Sequence, residues 1–244
     1  MKKLLLSLMG LTLSLGAFSQ SDDVQTVYGD EPVQDQKEVV SRKPVTMFVR
    51  AGWAGSSFSD FEDDWYEDNQ IDGVMAGAGL KIPLTKRGRV VLQPELRFVM
   101  KGEEMHGGVY GHSNHRDKVK FHLNYLELPV SVMFPFDFGK IGFDFGGGLY
   151  AAYGIGGKVK ANNGIVSIDN IDVTGEPSCF SDEVGFKRFD WGLTIETNFR
   201  FHDFFIGFGC EVGLMRPIEK GHLHHSNDYR NITSTVHLGY NFKL

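Results

Sequence analysis

The sequence predicts an all-β protein, an eight-stranded antiparallel transmembrane β-barrel with its apolar side turned outwards. Three observations carry this reading. Eight stretches alternate apolar residues with polar residues or glycine, the last running from Asn231 to Leu244 at the C-terminus. Charges of both signs share one face of these stretches with most of the glycines, while Leu, Val, Ile, Phe and Trp share the other. The alternation also follows an N-terminal segment laid out like a secretory signal.

That segment opens Met1-Lys2-Lys3, continues as an apolar run from Leu4 to Phe18, and offers a cleavage site at Ala17-Phe18-Ser19 before Gln20. The run falls short of the ~20 residues a spanning helix needs, and no cysteine near the site marks a lipoprotein. The expected organisation is a signal peptide at 1–19, a disordered periplasmic leader at 20–43 and an outer-membrane barrel at 44–244. The leader (Ser21-Asp22-Asp23 through Gln36-Lys37-Glu38) is polar, charged and nearly free of aromatics, so it cannot bury enough apolar surface to fold alone. No other long apolar run follows, which excludes a helical membrane protein. It leaves a barrel open, since each strand crosses in ~10 residues and buries only alternate ones.

The strands read in order. The first, about Pro44 to Ala54, sets Val45, Met47, Val49, Ala51 and Trp53 against Thr46, Arg50 and Gly52. The second, about Ile71 to Leu84, sets Val74, Ala76, Ala78, Leu80 and Ile82 against Gly77, Gly79 and Lys81. The third, about Arg89 to Lys101, sets Leu92, Leu96, Phe98 and Met100 against Gln93, Glu95, Arg97 and Lys101. The fourth, about Val119 to Phe134, sets Leu126, Leu128, Val130 and Val132 against Tyr125, Glu127 and Ser131. The fifth, about Lys140 to Gly157, sets Ile141, Phe143, Phe145, Leu149 and Tyr153 against Gly142, Asp144, Gly146, Gly148 and Tyr150. The sixth, about Phe186 to Arg200, sets Phe189, Trp191, Leu193 and Ile195 against Arg188, Asp190, Gly192, Thr194 and Glu196. The seventh, about Phe204 to Arg216, sets Phe204, Ile206, Phe208, Val212 and Leu214 against Gly207, Gly209, Glu211 and Gly213. The eighth sets Ile232, Val236, Leu238, Tyr240 and Phe242 against Asn231, Thr233, Thr235, His237 and Asn241.

Connections alternate between tight links (Pro83 to Gly88, Pro135 to Gly139, Phe201 to Asp203) and long polar ones, as in a barrel with short periplasmic turns and long outer loops. A soluble barrel alternates too, so glycine decides the orientation. Glycines on the charged face make room for long side chains to pair inside a narrow barrel; on a solvated face they would only weaken strands. Phe48 on the polar face and Gly147 on the apolar face depart from the pattern, and the phase of the fourth strand is unclear between Phe121 and Tyr125. Pro94 and Pro129 lie inside strands of a closed sheet and are expected to force bulges.

A net charge of −6 argues against nucleic acid as a partner. Of the two cysteines, Cys179 falls in a loop and Cys210 on the lipid face, which points to two free, structurally incidental thiols.

Several motifs resemble a known family. They are Val91-Leu92-Gln93-Pro94-Glu95-Leu96 with Lys101-Gly102, Tyr125-Leu126-Glu127-Leu128-Pro129, Gly146-Gly147-Gly148, Phe189-Asp190-Trp191-Gly192 and Arg230-Asn231. In order and spacing they are similar to the Bacteroidetes-type outer-membrane β-barrel domain, which includes PorT-like and "porin family" proteins. The resemblance covers most of residues 44 to 244 and implies an eight-stranded outer-membrane barrel with no single biochemical role. PorT itself looks like a secretion-associated member, and no residue here singles out that role.

Opposite charges on the inward face suit an ion-pair network that fills the lumen, with a polar conduction path as the alternative. Arg97, Arg188, Glu95, Glu127, Asp190 and Glu196 are accordingly read as framework. In the outer loops, His106, His112, His115, His222, His224 and His225 lie near a carboxylate-rich stretch of Asp60, Glu62, Asp63, Asp64, Glu67 and Asp68. That combination is a reasonable ligand set for zinc, copper or nickel, but no spacing matches a structural zinc site. Ser113, His112 and Asp117 could form a rim hydrolase or acyltransferase, and no nucleophile elbow supports it. Trp65 and Tyr66 suit either a partner anchor or an interfacial anchor. The sequence therefore assigns no catalytic, cofactor or metal residue. It points to a non-enzymatic barrel of the bacterial outer membrane, with membrane lipid as one partner and an extracellular protein or small ligand at the outer loops as another.

Overall fold

The computed structural model describes residues 43–59, 69–106, 118–161, 165–168, 171–182, 184–217 and 230–243. The predicted signal peptide and all but the last residue of the predicted leader lie outside them.

Among the described residues ten strands follow one another: β1 (Thr46–Ser59), β2 (Asn69–Pro83), β3 (Val91–His106), β4 (Lys118–Phe138), β5 (Ile141–Ala161), β6 (Ile165–Ile168), β7 (Ile171–Thr174), β8 (Phe189–Phe201), β9 (Phe204–Gly213) and β10 (Arg230–Lys243). Eight of them close into an antiparallel barrel in the order β1-β10-β9-β8-β5-β4-β3-β2, as the alternation requires. Strands β6 and β7, within the long connection that follows the fifth predicted strand, form a separate hairpin. Closure rests on β1 and β10, paired without a break from Thr46↔Lys243 to Ser59↔Arg230. With no edge strand left, the backbone N–H and C=O groups of the barrel are met inside the sheet, which hydrocarbon surroundings demand.

The burial pattern settles the orientation. Arg50, Glu95, Arg97, Glu127, Asp190, Glu196 and Glu211 are buried in the lumen, while Leu96, Leu128, Leu149, Trp191, Ile195 and Leu238 are exposed on the outer wall. Along β4 the outward residues read Phe136, Phe134, Val132, Val130, Leu128 and Leu126, then turn polar at Asn124, His122 and Lys120. That apolar stretch is as long as the ~9–11 residues a tilted strand needs to cross the hydrocarbon layer.

Two periplasmic turns are tighter than expected. β4 runs on to Phe138, so Gly139-Lys140 alone joins it to β5, with Gly139 at φ 73°. His202-Asp203 joins β8 to β9, with His202 at φ 56°.

The prolines do not bulge the strands. Pairing lapses where Pro94 faces Leu80 and where Pro129 faces Glu95, then resumes in the same register. A missing N–H removes one rung, whereas the register is held by every inward and outward side chain on either side of it. The register shifts lie elsewhere, between Gln70 and Met75 in the β2–β3 pair and between Asn124 and Tyr125 in the β4–β5 pair. The second explains the doubtful phase of the fourth strand. β4 keeps its alternation, with Val119, Phe121, Leu123 and Tyr125 all buried, and β5 carries the extra residue in Gly154-Ile155-Gly156. Phe48 does point inwards, where its ring meets Phe205 edge-on at 6.2 Å.

The orientation has a measurable consequence. Val130 is 39% exposed near mid-height of the apolar band. Val130→Arg should destabilise the barrel by about 2–4 kcal/mol in phospholipid vesicles, read as a lower urea midpoint. An unchanged midpoint would be inconsistent with a lipid-facing wall.

Candidate functional site

The lumen is the part of this structure where polar chemistry concentrates, and it is stratified along the barrel axis. At the periplasmic end Lys43 and Arg200 reach Asp137 at 2.8 and 2.6 Å, Arg200 also donates to Asp144 at 2.8 Å, and Lys81 lies 3.4 Å from Asp144. The Lys81 ammonium stands 4.9 Å over the Phe205 ring, a cation–π contact that gives the inward phenylalanines a role.

One tier higher, Arg50 chelates Glu95 and reaches Glu196 at 2.8 Å. Asn198 and Gln93 donate to the other Glu196 oxygen at 2.6 and 3.3 Å. His237 Nε2 lies 2.9 Å from the Arg50 guanidinium. A guanidinium only donates, so the imidazole nitrogen accepts in that contact, and the same Nε2 lies 3.1 Å from Asn198 Oδ1.

In the next tier Arg97 donates from Nε and Nη2 to Glu127 at 2.8 and 2.7 Å and also pairs with Glu211. Lys101 crosses the same pair of acids, 2.6 Å from Glu127 and 3.3 Å from Glu211, with its ammonium 4.5 Å over the Tyr150 ring. Gly77 makes room for this arrangement: a Cβ there would lie 2.4 Å from a Glu95 oxygen and 2.5 Å from the Arg97 Cβ. Above it, Tyr150 and Asn231 each donate to Asp190 Oδ2 at 3.0 Å.

The outermost tier is mostly apolar, with Glu103 of β3 buried opposite Phe121. Phe58, Met75, Val99, Phe121, Leu123, Tyr125 and Val159 line the wall, and the segment between β7 and β8 turns down among them with Cys179, Phe180, Val184 and Phe186. Phe186 packs 5.7 Å from Phe58 and 5.2 Å from Phe121, and Phe180 meets Tyr125 edge-on at 6.0 Å. The segment is tied to β5 by Val159 N–H donating to Pro177 O (2.9 Å) and Cys179 N–H to Gly157 O (3.3 Å). Glycine at 154 is required here, because a Cβ would come within 2.2 Å of the Phe180 ring. The Cys179 thiol, pushed up to about 12 by burial, is protonated and inert at neutral pH. Both cysteines are free.

Among the framework residues read from sequence, Glu95, Arg97, Glu127, Asp190 and Glu196 do converge in the lumen. Arg188 does not. It precedes β8 at the outer rim, exposed, donating to Gly154 O at 2.9 Å and lying 4.9 Å over the Phe180 ring. β8 begins only at Phe189, one residue too late to carry Arg188 inwards. The apolar plug was missed although the parity of the first strand, carried past Ala54 through Ser56, leads straight to Phe58.

His106 ends β3, and its side chain lies outside the described residues, as do His112, Ser113, His115, Asp117, His222, His224, His225, Trp65, Tyr66 and the acidic run from Asp60 to Asp68. Among the described residues no group of three or more His, Cys, Asp or Glu is placed to hold a metal ion.

A closed barrel with an apolar exterior and an ionic interior has the build of an outer-membrane protein. The family model described as "Outer membrane protein beta-barrel domain" matches residues 34–219. The chain belongs to that family. Its place is therefore the outer membrane. Solved barrels of similar fold include Ail of Yersinia pestis in complex with the heparin analogue sucrose octasulfate (13% identity, 82% of this chain and 99% of that one, TM-score 0.40). Others are OprG of Pseudomonas aeruginosa (12%, 85% and 100%, TM-score 0.43) and the Neisserial surface protein NspA (10%, 81% and 97%, TM-score 0.40). No curated protein matches the chain.

Two outcomes follow from the site. Glu127→Gln removes one charge from a fully buried cluster and leaves Lys101 and Arg97 with Glu211 alone. It should cost about 3–5 kcal/mol, read from urea unfolding in detergent micelles. Cys179 should resist maleimide in the folded protein and become reactive in Phe180→Ala, where the plug loses its anchor on Tyr125. Rapid labelling of the unmodified barrel would contradict the buried seat.

Proposed function

We propose that this protein is a non-enzymatic outer-membrane barrel whose interior serves structure and whose outer loops present a binding surface for an extracellular protein or small ligand. One observation carries the reading: among the described residues the lumen is occupied by side chains in each tier, ion pairs in the lower ones and a mostly apolar plug toward the outer mouth. An eight-stranded barrel has an interior just wide enough for side chains to fill. A solute path would need the Arg50, Arg97 and Lys101 bridges to part together, each leaving a buried charge unpaired. Kinship with the PorT-like branch, which rests on Gln93-Pro94-Glu95 and Leu128-Pro129, is part of this proposal. So is the removal of residues 1–19 on export and the retention of 20–43 as a periplasmic leader.

The second reading is a small-solute pore, and electrical recording separates the two. The purified protein in a planar bilayer should give no steady conductance above the lipid baseline. Sustained, reproducible open-channel steps would overturn the filled-lumen reading.

A further inference from the structure

In the middle tiers of the lumen the buried carboxylates of Glu95, Glu127, Glu196, Glu211 and Asp190 face Arg50, Arg97 and Lys101, while Glu103 is buried further up β3, opposite Phe121. Arg50 takes Glu95 and Glu196, while Arg97 and Lys101 share Glu127 and Glu211. Asp190 is left over. It is 3% exposed, and among the described residues no lysine, arginine or histidine forms an ion pair with it. Its Oδ2 accepts from two neutral donors, Tyr150 and Asn231, and its Oδ1 meets no donor at all. Asn231 Oδ1 and Thr233 Oγ1, on the adjoining inward positions of β10, are likewise buried without a partner.

We propose that the unpartnered oxygens of Asp190 and Asn231, beside Gly213, form a binding site for one small monovalent cation, an alkali-metal ion or ammonium. The register brings these residues together, since Gly213 of β9 faces Gly192 of β8, two residues beyond Asp190, and lies beside Asn231 on β10. A Cβ on Gly213 would sit 3.2 Å from Asp190 Oδ1, 3.3 Å from the Tyr150 hydroxyl and 3.2 Å from the Asn231 Cβ, so a side chain there would crowd these oxygens and glycine does not. The donors are hard oxygens with a single formal charge. Calcium draws on several carboxylates and the transition metals on imidazole or thiolate, so the set suits a monovalent ion. The apolar plug above and the Lys101 bridge below shield the site from bulk solvent, which strengthens the pull of one carboxylate on one cation. Buried polar groups in native proteins find partners, and a cation at this point supplies one to the anion that the ion-pair belts leave out.

The test uses the full-length mature protein refolded in zwitterionic micelles. Thermal unfolding is followed by the heat-dependent change in electrophoretic mobility, in sodium, potassium, ammonium or choline chloride at one ionic strength. A ligand that binds only the folded state raises the midpoint. At least one small cation should raise it by about 3 °C or more over choline, which is too large for the site. Asp190→Asn should abolish the difference between salts while leaving a folded barrel, because the amide keeps the shape and loses the charge. Gly213→Ala, which crowds the site and keeps the carboxylate, should diminish it. Equal midpoints in all four salts would overturn the proposal, as would a cation dependence that persists in Asp190→Asn. Neither result bears on the conductance of the barrel or on what its outer loops bind.

Discussion

Glu127 has no water to turn to. It is fully buried, two cations reach it, and both of those are shared with Glu211 on the opposite wall. Most of the architecture serves that arrangement. Eight strands leave an interior too narrow for a hydrated channel and too wide for glycine and serine alone, so long charged side chains must span it and be neutralised there. Spanning side chains in turn require small residues where they cross, which is why glycine shares their face. A chain that placed those charges inwards without partners would lose several kcal/mol for each one.

The tiers divide two tasks. The ionic belts hold opposite walls at a set distance and fix register, since sliding one strand by a residue would turn its charges into lipid. The apolar plug at the outer mouth does something ions do poorly: it fills an irregular space where a connecting segment returns to the wall. Phe186 and Val184 enter from that segment without needing matched geometry, and Cys179 lies against Gly157, where a side chain on β5 would exclude it. The extra residue in β5 lies next to this seat. A bulge bends a strand locally and re-aims its side chains, so the wall opens where the segment comes down.

The barrel itself was legible because a period of two is a strong signal over eight strands, and because tight and long connections alternate independently of it. The errors came where local chemistry and global register compete. Pro94 and Pro129 looked like sites of bulging, yet a single absent donor is a local cost and register is a property of the whole ladder. Arg188 looked like a lumen residue by parity, but parity holds only inside a strand, and β8 starts at Phe189. The partners of each charge could not be read at all. Arg97 meets Glu211 only because closure brings β9 across from β3, a relation with no trace in local sequence.

The same logic explains why Asp190 stands apart. The inward charges on β1 and β3 point to the level of Glu95, Glu127, Glu196 and Glu211, and each of these acids has a strand neighbour or opposite number bearing a guanidinium or ammonium. Asp190 sits one step higher, at the boundary where the wall turns apolar and Tyr125 and Tyr150 replace lysine and arginine. Neutral donors from Tyr150 and Asn231 satisfy half of its carboxylate and cannot cancel its charge. Had the belt simply been extended, a basic residue at position 213 would have completed it. Glycine stands there instead, and it keeps a side chain from crowding the unpaired oxygen.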